Sequence, residues 1–77
     1  MDKGERAVCA RILAECLKGI REQKVLSQSD VARALETTVH VVCEFESGQT
    51  VPDFLIVMDI CDACGVSLSE FIEICHF

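Results

Sequence analysis

The chain has 77 residues, is 51% hydrophobic but only 5% aromatic, and lacks Trp and Tyr, so it has room for one small domain with a mostly aliphatic core. All seven Lys and Arg lie in residues 1–33, whereas residues 34–77 carry eight acids and no Lys or Arg. This acidic half should repel polyanions, and no apolar run reaches the roughly 18 residues of a membrane span.

The first predicted helix spans residues 4–24, because apolar side chains recur there at steps of three and four, which places them on one face. The stripe consists of Val8, Cys9, Ile12, Leu13, Cys16, Leu17 and Ile20. Its second half is needed to pack on the elements that follow, but its first half, Val8 to Leu13, extends beyond a minimal core. Either the C-terminal helix covers that first half, or it forms a dimer or partner surface.

A helix-turn-helix is predicted over residues 27–48. Ser27 is a helix start signal, and Asp30 three residues later makes a weaker variant of the capping box. The short helix that begins here is amphipathic. Its inward residues are Val31, Ala32 and Leu35.

The second helix of the motif follows Thr37 and Thr38, which restart the chain. It runs from about Val39 to Ser47. Gly48 ends it, because glycine readily adopts the left-handed conformation of a helix cap.

Two further helices complete a compact, all-α, five-helix domain over residues 1–77. Pro52 forbids helical continuation, Asp53 caps the fourth helix and Gly65 ends it. Ser67 and Glu70 form a capping box for the fifth helix. The predicted inward residues are Phe54, Ile56, Val57, Ile60, Cys61 and Cys64 in the fourth helix, and Phe71, Ile72 and Cys75 in the fifth, which spans Leu68 to about Cys75.

Short motifs spread over about residues 13–72 match a known family in order and spacing. They are Leu17 to Arg21, Leu26 to Ala32, Ala34, Leu35, Phe45 to Gly48, Pro52 and Cys64 to Leu68. These motifs resemble the Cro and lambda-repressor type helix-turn-helix, also called the XRE family. The resemblance implies a compact five-helix fold, held by an ion pair between Arg21 and Glu46.

The resemblance also implies that the third helix lies in the major groove of DNA, while the start of the second helix and the loop after the third hold phosphates. The groove-facing positions are Val39, His40, Val41, Cys43 and Glu44. None is Arg, Lys, Asn or Gln, the side chains that make bidentate contacts with guanine or adenine. Val42 matches an inward position, so the other apolar residues are a surplus on the surface.

We therefore predict a small transcription-regulatory protein that binds a protein partner through the five groove-facing residues, 39–41, 43 and 44. It would resemble the antiactivators that sequester a transcriptional activator, with a partner that has a basic surface. The alternative is a DNA-binding repressor of the family, acting as a homodimer. Its DNA contacts would be Gln28, Ser29, Arg33, Thr38, Val39, His40 and Cys43.

Glu36 departs from the family pattern, which usually has Gly after the second helix. A left-handed conformation costs a residue other than glycine about 1 kcal/mol. Either this turn differs from that of the family, or Glu36 is strained.

We expect the six cysteines to be reduced thiols, because the start of the chain is too polar for a secretory signal and we expect a cytoplasmic location. Core packing is the expected role of Cys61 and Cys64. Cys61 and Cys64 form a CxxC, but on a helix both fall on the apolar face. The open alternative is a zinc site that they would build with Cys9, Cys16, Cys75 and His76.

Cys43 is the thiol most suited to redox sensing, whereas His40 is expected to be an exposed surface residue. No arrangement of nucleophile and base and no glycine-rich phosphate loop is present in the sequence. We therefore predict no enzymatic activity, no cofactor and no metal site.

Overall fold

A computed structural model describes residues 3–75, except for the side chains of residues 3 and 5–7. Its five helices confirm the predicted all-α class, and the first two and last two residues of the predicted domain lie outside the described part. The helices are α1 (Lys3–Gln23), α2 (Gln28–Ala34), α3 (Val39–Ser47), α4 (Phe54–Cys64) and α5 (Leu68–Cys75).

The helices begin where the capping residues predict. The Ser27 hydroxyl accepts a hydrogen bond from the Asp30 amide at 3.0 Å, and the Asp30 carboxylate accepts one from the Ser27 amide at 2.8 Å. The second of these bonds lowers the pKa of Asp30. Thr38 and Asp53 cap α3 and α4 in the same way, by accepting a backbone N–H three residues later.

Two of the four described residues that have a left-handed conformation are glycines, and two are not. Gly48 and Gly65 have φ of 82° and 69°, as predicted, but Val25 and Glu36 also have positive φ, 58° and 56°. At Glu36 the Thr37 amide donates to the Ala32 carbonyl at 2.9 Å, which closes α2. Glu36 therefore has the left-handed conformation that favours glycine, and it is strained.

Replacing Glu36 with glycine is expected to raise the free energy of unfolding by about 0.5–1 kcal/mol, because glycine adopts this conformation without a steric penalty. The melting temperature should rise by about 4 °C, measured by circular dichroism. Glu73→Gly is the matched control, since Glu73 is exposed within α5, and that change should lower stability. An unchanged or lower melting temperature for Glu36→Gly would argue against strain at this turn.

The core lies where α1 contacts α3 and α5, and where α4 closes over α2. Leu17 and Ile20 of α1 are its most completely buried large side chains. The other buried members are Val31, Ala32, Val42, Phe45, Val57, Ile60, Cys61, Cys64, Val66, Phe71 and Cys75. No helix of the described part of the chain is both long and apolar enough to cross a membrane.

Two predicted inward residues are exposed. Phe54 is 62% exposed because it lies on the first turn of α4, roughly 10 Å along the helix axis from Cys61 and beyond the edge of the core. Ile72 is 45% exposed because it is rotated by roughly 100° from its buried neighbour Phe71. Both side chains are exposed, so the prediction that they pack in the core was wrong.

The first half of the α1 stripe is not covered by the C-terminal helix. Although α5 packs on α1, Val8 is 60% exposed, Ile12 is 42% exposed and Cys9 is also exposed. Only Leu13 packs against the core. The described residues of α5 therefore leave these three side chains exposed, and the dimer or partner surface stays a prediction.

Candidate functional site

The helix-turn-helix is anchored by the inner side of α3. Val42 and Phe45 are buried in the core, so the position predicted to point inward does so. Because α3 also contacts both α1 and α2, its orientation is set by packing from two sides.

An ion pair between Arg21 and Glu46 ties α1 to α3. The Arg21 Nε and Nη2 atoms donate to the two carboxylate oxygens of Glu46 at 2.7 and 3.0 Å, a bidentate geometry. The third nitrogen, Nη1, donates to the Leu26 carbonyl at 2.8 Å. The two side chains are only 11% and 7% exposed, so each charge depends on the other for compensation.

Gln28, a candidate DNA contact, is used inside the motif. Its Nε2 donates to Glu46 at 3.1 Å, and its Oε1 accepts a hydrogen bond from the Cys43 thiol at 3.4 Å. The amide therefore bridges α2 to α3, and Cys43 is exposed but already has a partner. These links join residues 15 and 18 positions apart, so no local pattern in the sequence indicates them.

The outer side of α3 presents few groups that can donate hydrogen bonds to a ligand. Val39 is 40% exposed, and the His40 side chain is 82% exposed. The Glu44 carboxylate is held from two sides, by His40 Nε2 at 2.8 Å and by the Thr50 hydroxyl at 2.7 Å. The Glu44 carboxylate is therefore held in place between α3 and the loop that follows it.

Val41 does not belong with these exposed residues. It is half-buried and packs against the core, and it lines a small notch together with Leu35 and Ile56. Val41 is therefore less accessible than Val39 and Cys43, and its contribution to a partner surface stays a prediction.

The remaining candidate DNA contacts lie on α2 and at the start of α3. Ser29 and Arg33 are exposed on α2, where they can reach a ligand. Thr38 is exposed as well, but its hydroxyl accepts the Val41 amide at 3.3 Å as the helix cap.

Three of the cysteines are core residues. Cys61, Cys64 and Cys75 are 3%, 4% and 8% exposed, and burial raises the pKa of the first two. Burial, together with a hydrogen bond with Cys16, raises the pKa of Cys75 to about 12. Such thiols are poor nucleophiles at neutral pH because little thiolate forms.

The predicted alternative of a zinc site has no ligand cluster among the described side chains. No three His, Cys, Asp or Glu residues are grouped there so that they could bind a metal ion. His76 lies outside the described residues. The two thiols of the CxxC instead pack in the core, as predicted.

Replacing Cys61 with alanine is expected to lower the free energy of unfolding by about 1 kcal/mol, because it leaves a small cavity in the core. Urea denaturation measures this loss. The metal content of the purified protein should be the same before and after the change. Stoichiometric zinc in the wild type, lost in the variant, would overturn the packing role.

The geometry defines the class of the protein: two short helices joined by a tight turn, tied to α1 through Arg21 and Glu46, form a helix-turn-helix. A family described as a helix-turn-helix domain matches residues 12–71, most of the chain. The chain therefore belongs to the helix-turn-helix family, of the XRE type, and is a transcription regulator of that kind.

The fold is similar to the crystal structure of the clp gene regulator ClgR from C. glutamicum, with a TM-score of 0.80 and 19% sequence identity over 87% of each chain. At this identity the likeness shows the fold alone. No curated protein matches the chain in sequence.

Proposed function

We propose that this regulator acts by binding a protein partner, as an antiactivator sequesters a transcriptional activator, rather than by reading DNA bases. The partner would be a transcriptional regulator with a basic surface. This role needs no catalytic site and belongs in the cytoplasm.

The observation that carries the proposal is the chemistry of the outer side of α3. Val39 and Cys43 offer no bidentate donor to a base edge, and Gln28 is already bonded within the motif. The Glu44 carboxylate, fixed by His40 and Thr50, would face phosphates at close range. Affinity for DNA comes largely from cations that displace counterions, and residues 34–77 contain no Lys or Arg.

The alternative function, a dimeric DNA-binding repressor, is favoured by one observation. Ser29 and Arg33 are exposed on α2, on the helix that contacts the DNA backbone in this class of motif. With a single cation there, the affinity for DNA would fall only slowly as salt rises, since each phosphate contact contributes a slope of roughly 0.9.

A titration with labelled random duplex DNA at low salt separates the two functions. We expect no binding tighter than about 100 µM even at low salt, a value at the weak end of the non-specific affinities seen at physiological salt. Fluorescence anisotropy measures it. Binding in the micromolar range that weakens steeply as salt rises would contradict the proposal and favour the repressor.

Val39→Arg is the control that shows whether the scaffold can approach DNA at all. It places one cation at the exposed start of α3. The variant should gain measurable affinity with a salt slope larger by roughly 0.9 than that of the wild type. If it gains none, the absence of DNA binding reflects the orientation of α3 rather than its side-chain chemistry.

A further inference from the structure

The N-terminal half of α4 exposes three large apolar side chains. Phe54 is 62% exposed, Leu55 is 70% exposed and Met58 is 40% exposed. Phe54 and Met58 are four residues apart and thus neighbours on the helix surface, and Leu55 lies beside them. A cluster of this kind on a small protein typically marks an interaction site.

The helix becomes acidic one turn later. Asp59 and Asp62 border an open cleft of about 450 Å³ between α4 and the end of α2, and Glu36 borders it from the turn. The remaining walls of this cleft are Ala34, Leu35 and Ala63. Within the described part of the chain, these three carboxylates have no ion-pair partner.

A smaller apolar notch adjoins the acidic cleft. It has a volume of about 110 Å³ and shares Leu35 and Asp59 with the cleft. Val41, Phe45 and Ile56 supply its apolar walls. It can accept one aliphatic side chain, since a closed cavity of roughly 150 Å³ holds benzene.

We propose that this α4 surface, formed by Phe54, Leu55, Met58, Asp59, Asp62 and Glu36, binds a basic amphipathic helix of a protein partner. Apolar residues of that helix, three and four positions apart, would pack on the apolar end. Lys or Arg residues one to two turns further would enter the acidic cleft. From residue 54 to residue 62 the surface extends over roughly 12 Å, the length of about two helical turns.

The charge of the surface selects this occupant over others. Nucleic acids and anionic lipid surfaces would be repelled by the three unpaired carboxylates. A second copy of the chain, paired about a two-fold axis, would present the same carboxylates and no Lys or Arg from residues 34–77. Only a partner that combines apolar anchors with cations complements both ends.

The inference does not depend on the proposed function, because it uses α4 and the end of α2 and not the outer side of α3. A chain that bound DNA through α3 would leave this face available. The experiment therefore observes where a partner helix binds, and failure here leaves the DNA titration unaffected.

The test uses a labelled Leu/Lys amphipathic peptide of about 16 residues, long enough to form a helix in isolation. A peptide of the same composition, scrambled so that Leu and Lys no longer segregate, is the control. Added to the isotope-labelled full chain, the amphipathic peptide should shift the amide resonances of residues 35, 36 and 54–62 in two-dimensional NMR spectra. Shifts confined to α1 or the outer side of α3, or equal binding of the scrambled peptide, would overturn the proposal.

Two matched pairs of variants test the two ends separately. Asp59→Asn with Asp62→Asn should weaken peptide binding about five- to tenfold, whereas Glu70→Gln with Glu73→Gln, which removes the same charge from α5, should change it less than about twofold. Leu55→Ser should weaken it about tenfold, and Ile72→Ser on α5 should not. Equal losses for the α4 and α5 variants would show that the peptide senses only net charge or general apolarity, and the proposal would fail.

Discussion

Replacing Glu46 with alanine is expected to destabilise the fold by about 3 kcal/mol. The change leaves the Arg21 guanidinium, 11% exposed, without the carboxylate that meets it at 2.7 and 3.0 Å. It also removes the acceptor of the Gln28 amide, so that α2 and α3 lose a link at the same time. A small domain with only about 5 kcal/mol in total would then keep about 2 kcal/mol, so its unfolded fraction would rise to a few per cent.

Urea denaturation followed by circular dichroism measures this effect. Glu73→Ala, an exposed change on α5, is the control and should alter stability by less than about 0.5 kcal/mol. A second variant, Arg21→Met with Glu46→Leu, replaces both charges with apolar groups. It should recover part of the loss, because the cost arises from one unpaired charge and not from the missing pair. A loss below about 1 kcal/mol for Glu46→Ala would show that solvent compensates Arg21.

The helix boundaries could be predicted from the sequence because they depend on local chemistry. Ser27, Thr38 and Asp53 accept backbone N–H groups three residues away, and Gly65 has the left-handed conformation expected of it. Such interactions span a single turn of chain. A pattern of residue types is therefore enough to locate them.

The left-handed conformation of Val25, after α1, could not be predicted from such local patterns. It ends α1 with φ of 58°, and the Leu26 amide donates to the Arg21 carbonyl at 3.0 Å across it. A β-branched residue is among the least expected at such a position. Glu36 could be suspected because a family pattern places Gly there, but Val25 has no such signal.

The surfaces were harder to predict than the core. Val41 matches a groove-facing position of the family, but it packs against the core and lines a notch with Ile56, an arrangement that depends on how α4 closes over the motif. The exposure of Phe54 on α4 depends on the tertiary structure as well. Helical periodicity places Phe54 on the buried side of α4 with Cys61, and only the end of the core in three dimensions leaves it exposed.

The second large effect is expected at Val39, on the outer side of α3. Val39→Asp should reduce binding of the protein partner by at least about tenfold, because a carboxylate would be buried in the apolar centre of the interface. The fold should persist, since an acidic residue is favourable in the first turn of a helix. Pull-down from the native host, followed by mass spectrometry, identifies the partner, which should be a transcriptional regulator.

Two further variants separate desolvation from net charge. Val39→Arg should lose the partner as Val39→Asp does, because both bury a charge although the signs are opposite. Val25→Asp makes the same substitution at a residue that is 89% exposed on the loop after α1, and it should retain the partner. Val41→Asp is unsuitable, since Val41 packs against the core and the change would also affect stability. If both Val39 variants still capture the partner, the outer side of α3 is not the contact, and the α4 surface becomes the one to vary next.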